Sequence, residues 1–464
     1  MNFASSEFWI TLLACVPVGL LVVWLAGFFG SESRGLAGKW CMVGTALTLL
    51  YQESQLTPLV FLWVVLIGWG AVQCAVKGRS ASFVILALLQ LVPLIYYKYW
   101  NFFFNEALGL GWRVPSVLIP MGLSFYTFQV LGFCIDTRRE QLKAPKFIDY
   151  LNFCSFFPQI VAGPIERRQA LLPQIEGFRF GIRASALDPA LRWIVLGLFY
   201  KVVLADNLGV TMSRLMVDDH NPWHVWLECF SFGMRIYFDF AGYSFIAVGL
   251  AMLFGIQLTL NFRSPYLSVD LREFWRNWHI TLSSWLRDYV YLPLGGRRTR
   301  LWMVNVLIVF VVSGIWHGAG WGFLVWGALH GLGVVFCGWG KRWELPAFLK
   351  WSVTLVFAMG AWLFFLEPDP SRMWSKAASM VDPRGYVPGN ARQLMELFRS
   401  PPDLVTFAAV CALGIGVLFL EWLSVRNEKG PYNLLRSTPA CLMGVALVIL
   451  LGAREEASFI YFNF

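Results

Sequence analysis

Charged residues are scarce in this 464-residue chain: only 14% of its residues are Asp, Glu, Lys or Arg, whereas 58% are hydrophobic. Soluble globular proteins carry roughly 25% charged and about 45–50% apolar residues, so a soluble domain could not bury so much apolar surface. The low charge content therefore indicates a polytopic membrane protein. The formal net charge of +9 arises mainly from short loops, which is typical of cytoplasmic loops rather than of nucleic-acid binding.

Cysteine pairs with the spacing of a disulfide framework or a metal site are missing. The nine cysteines are scattered, and no two of them form a Cys-x-x-Cys pair. We expect them to act as small hydrophobic side chains. Two histidines inside apolar runs, His317 and His330, have no Cys, Asp or Glu nearby at ligand spacing, so no metal is expected.

Motifs for covalent catalysis and nucleotide binding are also missing. The segment Gly-Leu-Ser-Phe-Tyr at residues 122–126 lacks the closing glycine of a nucleophile elbow. No Walker or dinucleotide-binding loop occurs in the sequence. An enzyme built on this chain need not supply a covalent nucleophile, because a histidine can act as general base on a bound hydroxyl while a thioester delivers the acyl group.

Apolar runs of about 20 residues, the length that crosses a bilayer as a helix, recur along the chain. They begin near Phe8, Thr57, Ser82, Ser116, Leu191, Trp223, Ala241, Leu301, Phe323, Trp351, Leu404 and Thr438, and a shorter run covers residues 40–51. We expect an all-α polytopic membrane protein with roughly 11–13 membrane-embedded helices, some of them not full spans. The first run lacks the basic segment and cleavage site of a signal peptide, so it is expected to be the first transmembrane helix. Residues 1–464 are expected to form one membrane domain, with an extramembrane loop at 367–403.

Three loops are rich in arginine and lysine, at residues 137–146, 164–192 and 295–300, and the positive-inside rule places them in the cytoplasm. The first two loops flank residues 147–163, which contain Pro158. This stretch would then enter and leave the membrane on one side, as a re-entrant segment that is buried in protein or lines a cavity. Two poorly recognised spans, or an interfacial segment, would also fit.

Residues 271–291 combine basic side chains with tryptophans. On a continuous helix, one face would carry Arg272, Arg276, His279, Ser283 and Arg287, and another would carry Trp275, Trp278, Leu282 and Trp285. Such a helix could lie in the membrane interface. It could also present a cationic stripe to a phosphate-bearing ligand, because arginine forks match phosphate geometry. Both interpretations hold if the helix lines a cytoplasmic vestibule.

Another charged pair lies within an apolar run. Arg235 and Asp239 are four residues apart, so they can face each other along one helix. Pairing is the usual way in which charges are accommodated in a membrane, so we expect a structural salt bridge.

His317 is the most informative polar residue, because it lies in the apolar stretch 301–340. As a single helix this stretch would be roughly 60 Å long, twice the thickness of the hydrocarbon core, so it must break, and the glycines at 318–322 predict the break there. Discontinuous helices inside membranes commonly build ligand sites. Two roles stay open for His317, a functional group or a partner in an interhelical hydrogen bond. The glycines that recur every four residues here predict close helix packing, and His330 is assigned a structural role.

Five segments resemble, in order and spacing, the motifs of the membrane-bound O-acyltransferases. The resemblance is to the bacterial branch that O-acetylates exported polysaccharides such as alginate and cellulose. The segments are 119–129 (IPMGLSFYTFQ), 163–167 (GPIER), 274–289 (FWRNWHITLSSWLRDY), 313–318 (SGIWHG) and 326–331 (WGALHG). The match covers residues 115–331, whereas the two ends of the chain match only as hydrophobic spans.

This resemblance implies a fold in which peripheral helices surround a thin centre pierced by a funnel. It implies that His317 is catalytic and that His279 is the second family histidine. It also implies that acetyl-CoA, a substrate rather than a bound cofactor, donates the acetyl group from the cytoplasm. The group would cross the bacterial inner membrane to a periplasmic acyltransferase partner or to the exported polysaccharide, beside a polymer synthase complex.

On this hypothesis the donor vestibule would be lined by Arg272, Arg276 and Arg287. The alternatives are a polytopic transporter or flippase, which many spans and a broken helix would also fit, and a non-catalytic scaffold of a polysaccharide export complex. The sequence contains no inverted hydropathy repeat that would favour a transporter.

Overall fold

A computed structural model of the chain describes residues 3, 5–114, 118–215, 221–339, 345–396, 401–427, 430–453 and 459–460. Residues 115–117, at the start of the motif region, and 397–400, in the predicted extramembrane loop, lie outside this set. The described residues form helices and turns without a strand. They divide into two compact units, Met1–Ile194 with Tyr243–Leu260, and Val195–Gly242 with Asn261–Phe464.

Eight helical stretches of the described chain are long and apolar enough to cross a membrane, which confirms the prediction of an all-α polytopic membrane protein. They are Ser6–Phe29, Leu56–Val76, Ser80–Tyr99, Ala184–Val210, Pro222–Leu253, Trp321–Gly338, Ala347–Leu366 and Leu404–Arg426, with two shorter apolar helices at Trp302–His317 and Thr438–Leu451. The runs that begin near Trp223 and Ala241 are one continuous helix of 32 residues. Each run alone is long enough to span a membrane, so the sequence predicts two helices where the structure has one.

The first unit contains the N-terminal spanning helices. Its helices are α1 (Ser6–Ala26), α2 (Ser31–Glu53), α3 (Leu56–Val76), α4 (Ser80–Leu94), α5 (Leu123–Arg139), α6 (Phe147–Ser155), α7 (Phe157–Ile160) and α8 (Arg168–Glu176). Helices α9 (Leu187–Leu198) and α11 (Pro222–Leu253) contribute residues to both units.

The predicted re-entrant stretch is a pair of short helices. Helices α6 and α7 are separated at Phe156, and Pro158 lies in the first turn of α7. Residues 149–166 are all buried. A helix of 9 residues is about 14 Å long, too short for a hydrocarbon core of about 30 Å. The broken, buried geometry favours the re-entrant interpretation over two full spans.

Polar contacts of the segment 163–167 anchor this helix pair. The Glu166 N–H donates to Gln129 Oε1 on α5 at 3.0 Å. The Glu166 carboxylate accepts from the Thr259 N–H, and its Oε2 lies 3.2 Å from the Thr259 hydroxyl. The buried polar groups of this part of the motif region therefore fix backbone positions within the first unit.

The second unit contains the remaining helices. They are α10 (Asp206–Leu215), α12 (Leu271–Asn277), α13 (Ile280–Leu286), α14 (Trp302–His317), α15 (Trp321–Trp339), α16 (Ala347–Ala361), α17 (Leu363–Leu366), α18 (Pro370–Val381), α19 (Pro388–Glu396), α20 (Pro401–Arg426) and α21 (Thr438–Leu451). The predicted extramembrane loop at 367–403 thus holds α18 and α19 and the first residues of α20.

The buried charges of the second unit pair differently from the prediction. Among the described residues, Asp239 forms its ion pair with Lys201 and not with Arg235: Lys201 Nζ lies 2.8 Å from Asp239 Oδ1 and 2.7 Å from Asp206 Oδ1. All three side chains are at most 3% exposed. Spacing along one helix could not reveal Lys201, because this lysine comes from the π-helical turn that precedes α10.

Candidate active site

His317 lies at a helix break, as the sequence predicts. It is the last residue of α14, and its successor Gly318 leaves the helix with an extended backbone, φ −163° and ψ 157°. Helix α15 begins at Trp321. The break therefore occupies residues 318–320, and a buried histidine stands at the end of a helix inside the second unit.

Glycines let α14 and α15 pack against each other at close range. A β-carbon added to Gly314 would lie 2.1 Å from the Phe323 carbonyl oxygen, and one added to Gly327 would lie 2.3 Å from the Phe310 carbonyl oxygen. Both distances are far below a van der Waals contact with rigid backbone. The predicted packing role of these glycines is confirmed, and it holds His317 against α15.

Residues 271–291 do not form the single helix that the sequence predicted. Helix α12 ends at Asn277 and α13 begins at Ile280. Between them His279 adopts a left-handed conformation, with φ 41° and ψ 55°. His279 is completely buried, whereas Arg276 is exposed, so the histidine leaves the face that carries the arginines.

The break brings His279 to His317. Their ring centroids lie 6.4 Å apart. Trp316 packs edge-on against both rings, at 5.7 Å from His279 and 4.9 Å from His317. The two histidines are 0% and 2% exposed. Two residues from separate motifs therefore share one buried site.

Aromatic side chains enclose this histidine pair. Trp326 and Phe365 pack against His317 with ring centroids at 5.2 and 5.3 Å. Phe240 packs against His279 at 4.7 Å. The sequence does not predict that Phe240 and Phe365 lie beside the histidines, because a phenylalanine in an apolar helix carries no pattern that indicates a nearby site. The enclosure leaves both imidazoles in a largely apolar environment.

His330 makes contacts of the kind expected for the structural role that the sequence predicts. Its Nδ1 accepts a hydrogen bond from Trp275 Nε1 at 3.2 Å, and its ring packs on Trp326 at 4.8 Å. These contacts tie α12 to α15. In the described part of the chain, no group of three or more His, Cys, Asp or Glu side chains could hold a metal ion.

The three predicted arginines line one cavity of about 550 Å³. Its lining contains Arg272, Arg276, Arg287, three serines (Ser283, Ser284 and Ser313) and apolar side chains of α12 to α15. Arg287 also pairs with Asp288 at 2.7 Å. Ser313 lies one turn before His317, and Ile280, another lining residue, follows His279 directly. The cationic cavity therefore borders both segments that carry the histidines.

Comparisons with known proteins identify the family of the chain. The family model of the membrane-bound O-acyltransferases (MBOAT) matches residues 48–366. The chain is 31% identical to the peptidoglycan O-acetyltransferase of Helicobacter pylori, over 98% of this chain and 96% of that protein. It is 30% identical to the probable alginate O-acetylase of Azotobacter vinelandii, over 81% of this chain and 83% of that protein.

A further relative is the teichoic acid D-alanyltransferase of Streptococcus thermophilus, which is 29% identical over 67% of this chain and 77% of its own length. All three relatives are named for the transfer of an acyl group, which favours the enzyme over the transporter and scaffold alternatives. The chain is a multi-pass membrane acyltransferase and belongs to the membrane-bound O-acyltransferase family.

Proposed function

We propose that this enzyme takes an acetyl group from acetyl-CoA in the cytoplasm and passes it across the bacterial inner membrane for O-acetylation of an exported polysaccharide. The observation that supports the proposal most is the pairing of two buried histidines beside a cavity lined by three arginines. The cavity volume falls within the usual range for small-molecule sites, about 300–1,000 Å³.

His317 is the base or the acyl-relay residue of this reaction, and His279 orients or assists it. As a base, an imidazole nitrogen of His317 takes the proton of the acceptor hydroxyl while that oxygen forms a bond to the acetyl carbon. The carbon–sulfur bond of the thioester breaks, and the thiolate leaving group takes up the proton. No covalent nucleophile is required of the protein, in keeping with the missing nucleophile motifs.

The cationic cavity binds the phosphates of the donor. Arginine presents several N–H donors in a planar fork, and hydrogen bonds between charged partners are stronger than neutral ones. Arg276 is the best placed of the three, because it is exposed in the cavity whereas Arg287 is paired with Asp288. Donor affinity should therefore depend on Arg276.

The variant Arg276→Ala is expected to raise the KM for acetyl-CoA about tenfold with little change in kcat, because a charge-assisted contact is worth roughly 1.5–3 kcal/mol. Steady-state kinetics of the purified protein measure this. Arg300→Ala is the matched control, since it removes the same charge from an exposed position outside the cavity lining. Equal KM values for both variants would contradict the assignment of the cavity.

The aromatic enclosure supports a small acyl group. Phe365 is 3% exposed and packs on His317 and Trp326 at 5.3 and 5.4 Å. An acyl chain longer than acetyl would have to displace these rings, and overpacking of a dense interior is unfavourable. The donor is therefore an acetyl thioester rather than a long-chain acyl thioester.

Replacement of Phe365 by Ala should open this space. We expect the rate with butyryl-CoA relative to acetyl-CoA to rise about tenfold, a range typical of added methylenes in an apolar pocket. Competition between the two thioesters measures the ratio. Phe364→Ala is the control, because Phe364 packs on Trp374 instead. An unchanged ratio in Phe365→Ala would show that this ring does not limit acyl length.

The acceptor is an exported polysaccharide such as alginate or cellulose, or another glycan of the envelope. This proposal rests on relatives named for alginate and peptidoglycan O-acetylation. A periplasmic acyltransferase and the polymer synthase complex are the proposed partners, with the lipid bilayer as surroundings and no nucleic acid. Loss of acetyl esters from one glycan in a deletion strain, restored by the wild-type gene and not by the His317→Ala variant, would support this role and identify the polymer. Unchanged esters on every envelope glycan would overturn it.

A further inference from the structure

We infer that Asn261 and Thr281 are positioning residues, which hold His279 in its left-handed conformation and thereby point it towards His317. The inference rests on the proposed catalytic role of the histidine pair. Neither residue was singled out by the sequence for this role, and neither lines the cationic cavity.

The backbone of His279 is unusual for its residue type. With φ 41° it is one of three described non-glycine residues with positive φ, beside Gln141 and Ser264. A side chain with a β-carbon is disfavoured in this region, so such a residue persists only where the surrounding structure imposes it. Gln141 is exposed, whereas His279 is completely buried. Something in the surrounding protein must therefore hold His279.

Asn261 supplies the contacts that impose this conformation. Its carbonyl oxygen accepts the Ile280 N–H at 2.9 Å. Its side-chain Oδ1 accepts the Thr281 N–H at 3.3 Å and the Thr281 hydroxyl at 2.6 Å. Asn261 is 0% exposed, so no water competes for these bonds at the protein surface. The first two residues after His279 are thus fixed to one buried amide residue.

The chain before His279 is hydrogen-bonded to the same backbone segment, residues 261–263. The Arg263 N–H donates to the Asn277 carbonyl oxygen at 3.0 Å. Residues 261–263 therefore hold the chain on both sides of Trp278 and His279. This arrangement constrains the break between α12 and α13 from two directions.

The break between α12 and α13 prevents a continuous helix that would turn His279 away from His317. In a right-handed conformation at 278–279, α12 and α13 would merge into the single helix that the sequence pattern favours. His279 would then share a face with Arg272 and Arg276 instead of facing His317 at 6.4 Å. The contacts of Asn261 and Thr281 therefore decide whether the second histidine reaches the first.

A matched pair of substitutions tests this inference. Thr281→Val keeps the shape of the side chain and removes the hydroxyl donor, whereas Thr281→Ser keeps the donor. We expect Thr281→Val to lower kcat about tenfold or more, since small displacements of catalytic groups are costly, with the KM for acetyl-CoA within about twofold of wild type. Thr281→Ser should restore most of kcat. Rates are normalised to the folded protein recovered from size-exclusion chromatography, and thermal unfolding is measured for each variant.

Thr45→Val is the matched control, because Thr45 is also a buried threonine and its hydroxyl bonds Cys41 O within its own helix. It should leave kcat per folded molecule unchanged. If Thr281→Val lowers only the yield or the unfolding temperature, with kcat per folded molecule as in wild type, the positioning role is overturned. The variant His279→Ala distinguishes the proposed role of His279 from the positioning role of Asn261 and Thr281. An unchanged kcat in His279→Ala overturns the proposed role of His279 itself. A lower kcat in His279→Ala, with no loss in Thr281→Val, overturns the positioning inference alone.

Discussion

Replacement of His317 by Ala is expected to lower acetyl transfer by a factor of about 10²–10⁴, the contribution that a positioned general base makes. His317 is the last residue of α14 and lies against His279, Trp316 and Trp326. The substitution removes the group that carries the proton but none of the side chains that line the donor cavity, so donor binding should persist. Purified variant protein, assayed for acetyl ester formed per folded molecule, gives the measurement.

His224→Ala is the control for the loss of a buried histidine. His224 lies near the start of α11, about 24 Å along that helix from Phe240, the residue that packs on His279. We expect this variant to retain its rate per folded molecule. Equal losses in both variants would show that the loss of any buried histidine lowers the rate, and would contradict a specific chemical role of His317.

The second large effect is expected from Lys201→Met. The lysine ammonium forms ion pairs with two buried carboxylates, Asp206 and Asp239, at 2.7 and 2.8 Å. Without it, both buried carboxylates lose their lysine partner, and breaking a buried ion pair in this way costs about 3–5 kcal/mol. We expect a clearly lower unfolding temperature of the detergent-solubilised protein and less folded protein in the membrane.

Arg192→Met provides the contrast, because Arg192 pairs with Asp188 at the surface, where the side-chain exposures are 27% and 75%. Exposed pairs of this kind contribute little to stability. An unfolding temperature of Lys201→Met equal to that of Arg192→Met would contradict the account of the buried cluster. Lys201→Met should also lower activity, because Asp239 precedes Phe240, and Phe240 packs on His279.

The sequence predicted features that depend on one segment at a time. The break after His317 follows from helix length against membrane thickness, and the packing of Gly314 and Gly327 follows from their spacing. The grouping of Arg272 and Arg276 at one cavity could also be predicted, because both arginines lie on the same short helix.

Features that depend on contacts between distant segments could not be predicted. The helical pattern of residues 271–291 is continuous, and only Asn261, ten residues before that segment, reveals through its contacts why the chain departs from it. In the same way, the i,i+4 spacing of Arg235 and Asp239 predicts an ion pair between them. In the structure, Asp239 pairs instead with Lys201, which comes from a different helical segment. Local periodicity carries no information about which distant group competes for a partner.

The most direct test of thioester-dependent acyl transfer at His317 is the release of free coenzyme A from acetyl-CoA by the purified protein with a glycan acceptor. Wild-type protein is expected to release coenzyme A in proportion to the acetyl ester formed, and the His317→Ala protein, equally folded, is expected to release almost none. Release at the wild-type rate by His317→Ala, or no release by folded wild-type protein, would contradict the account.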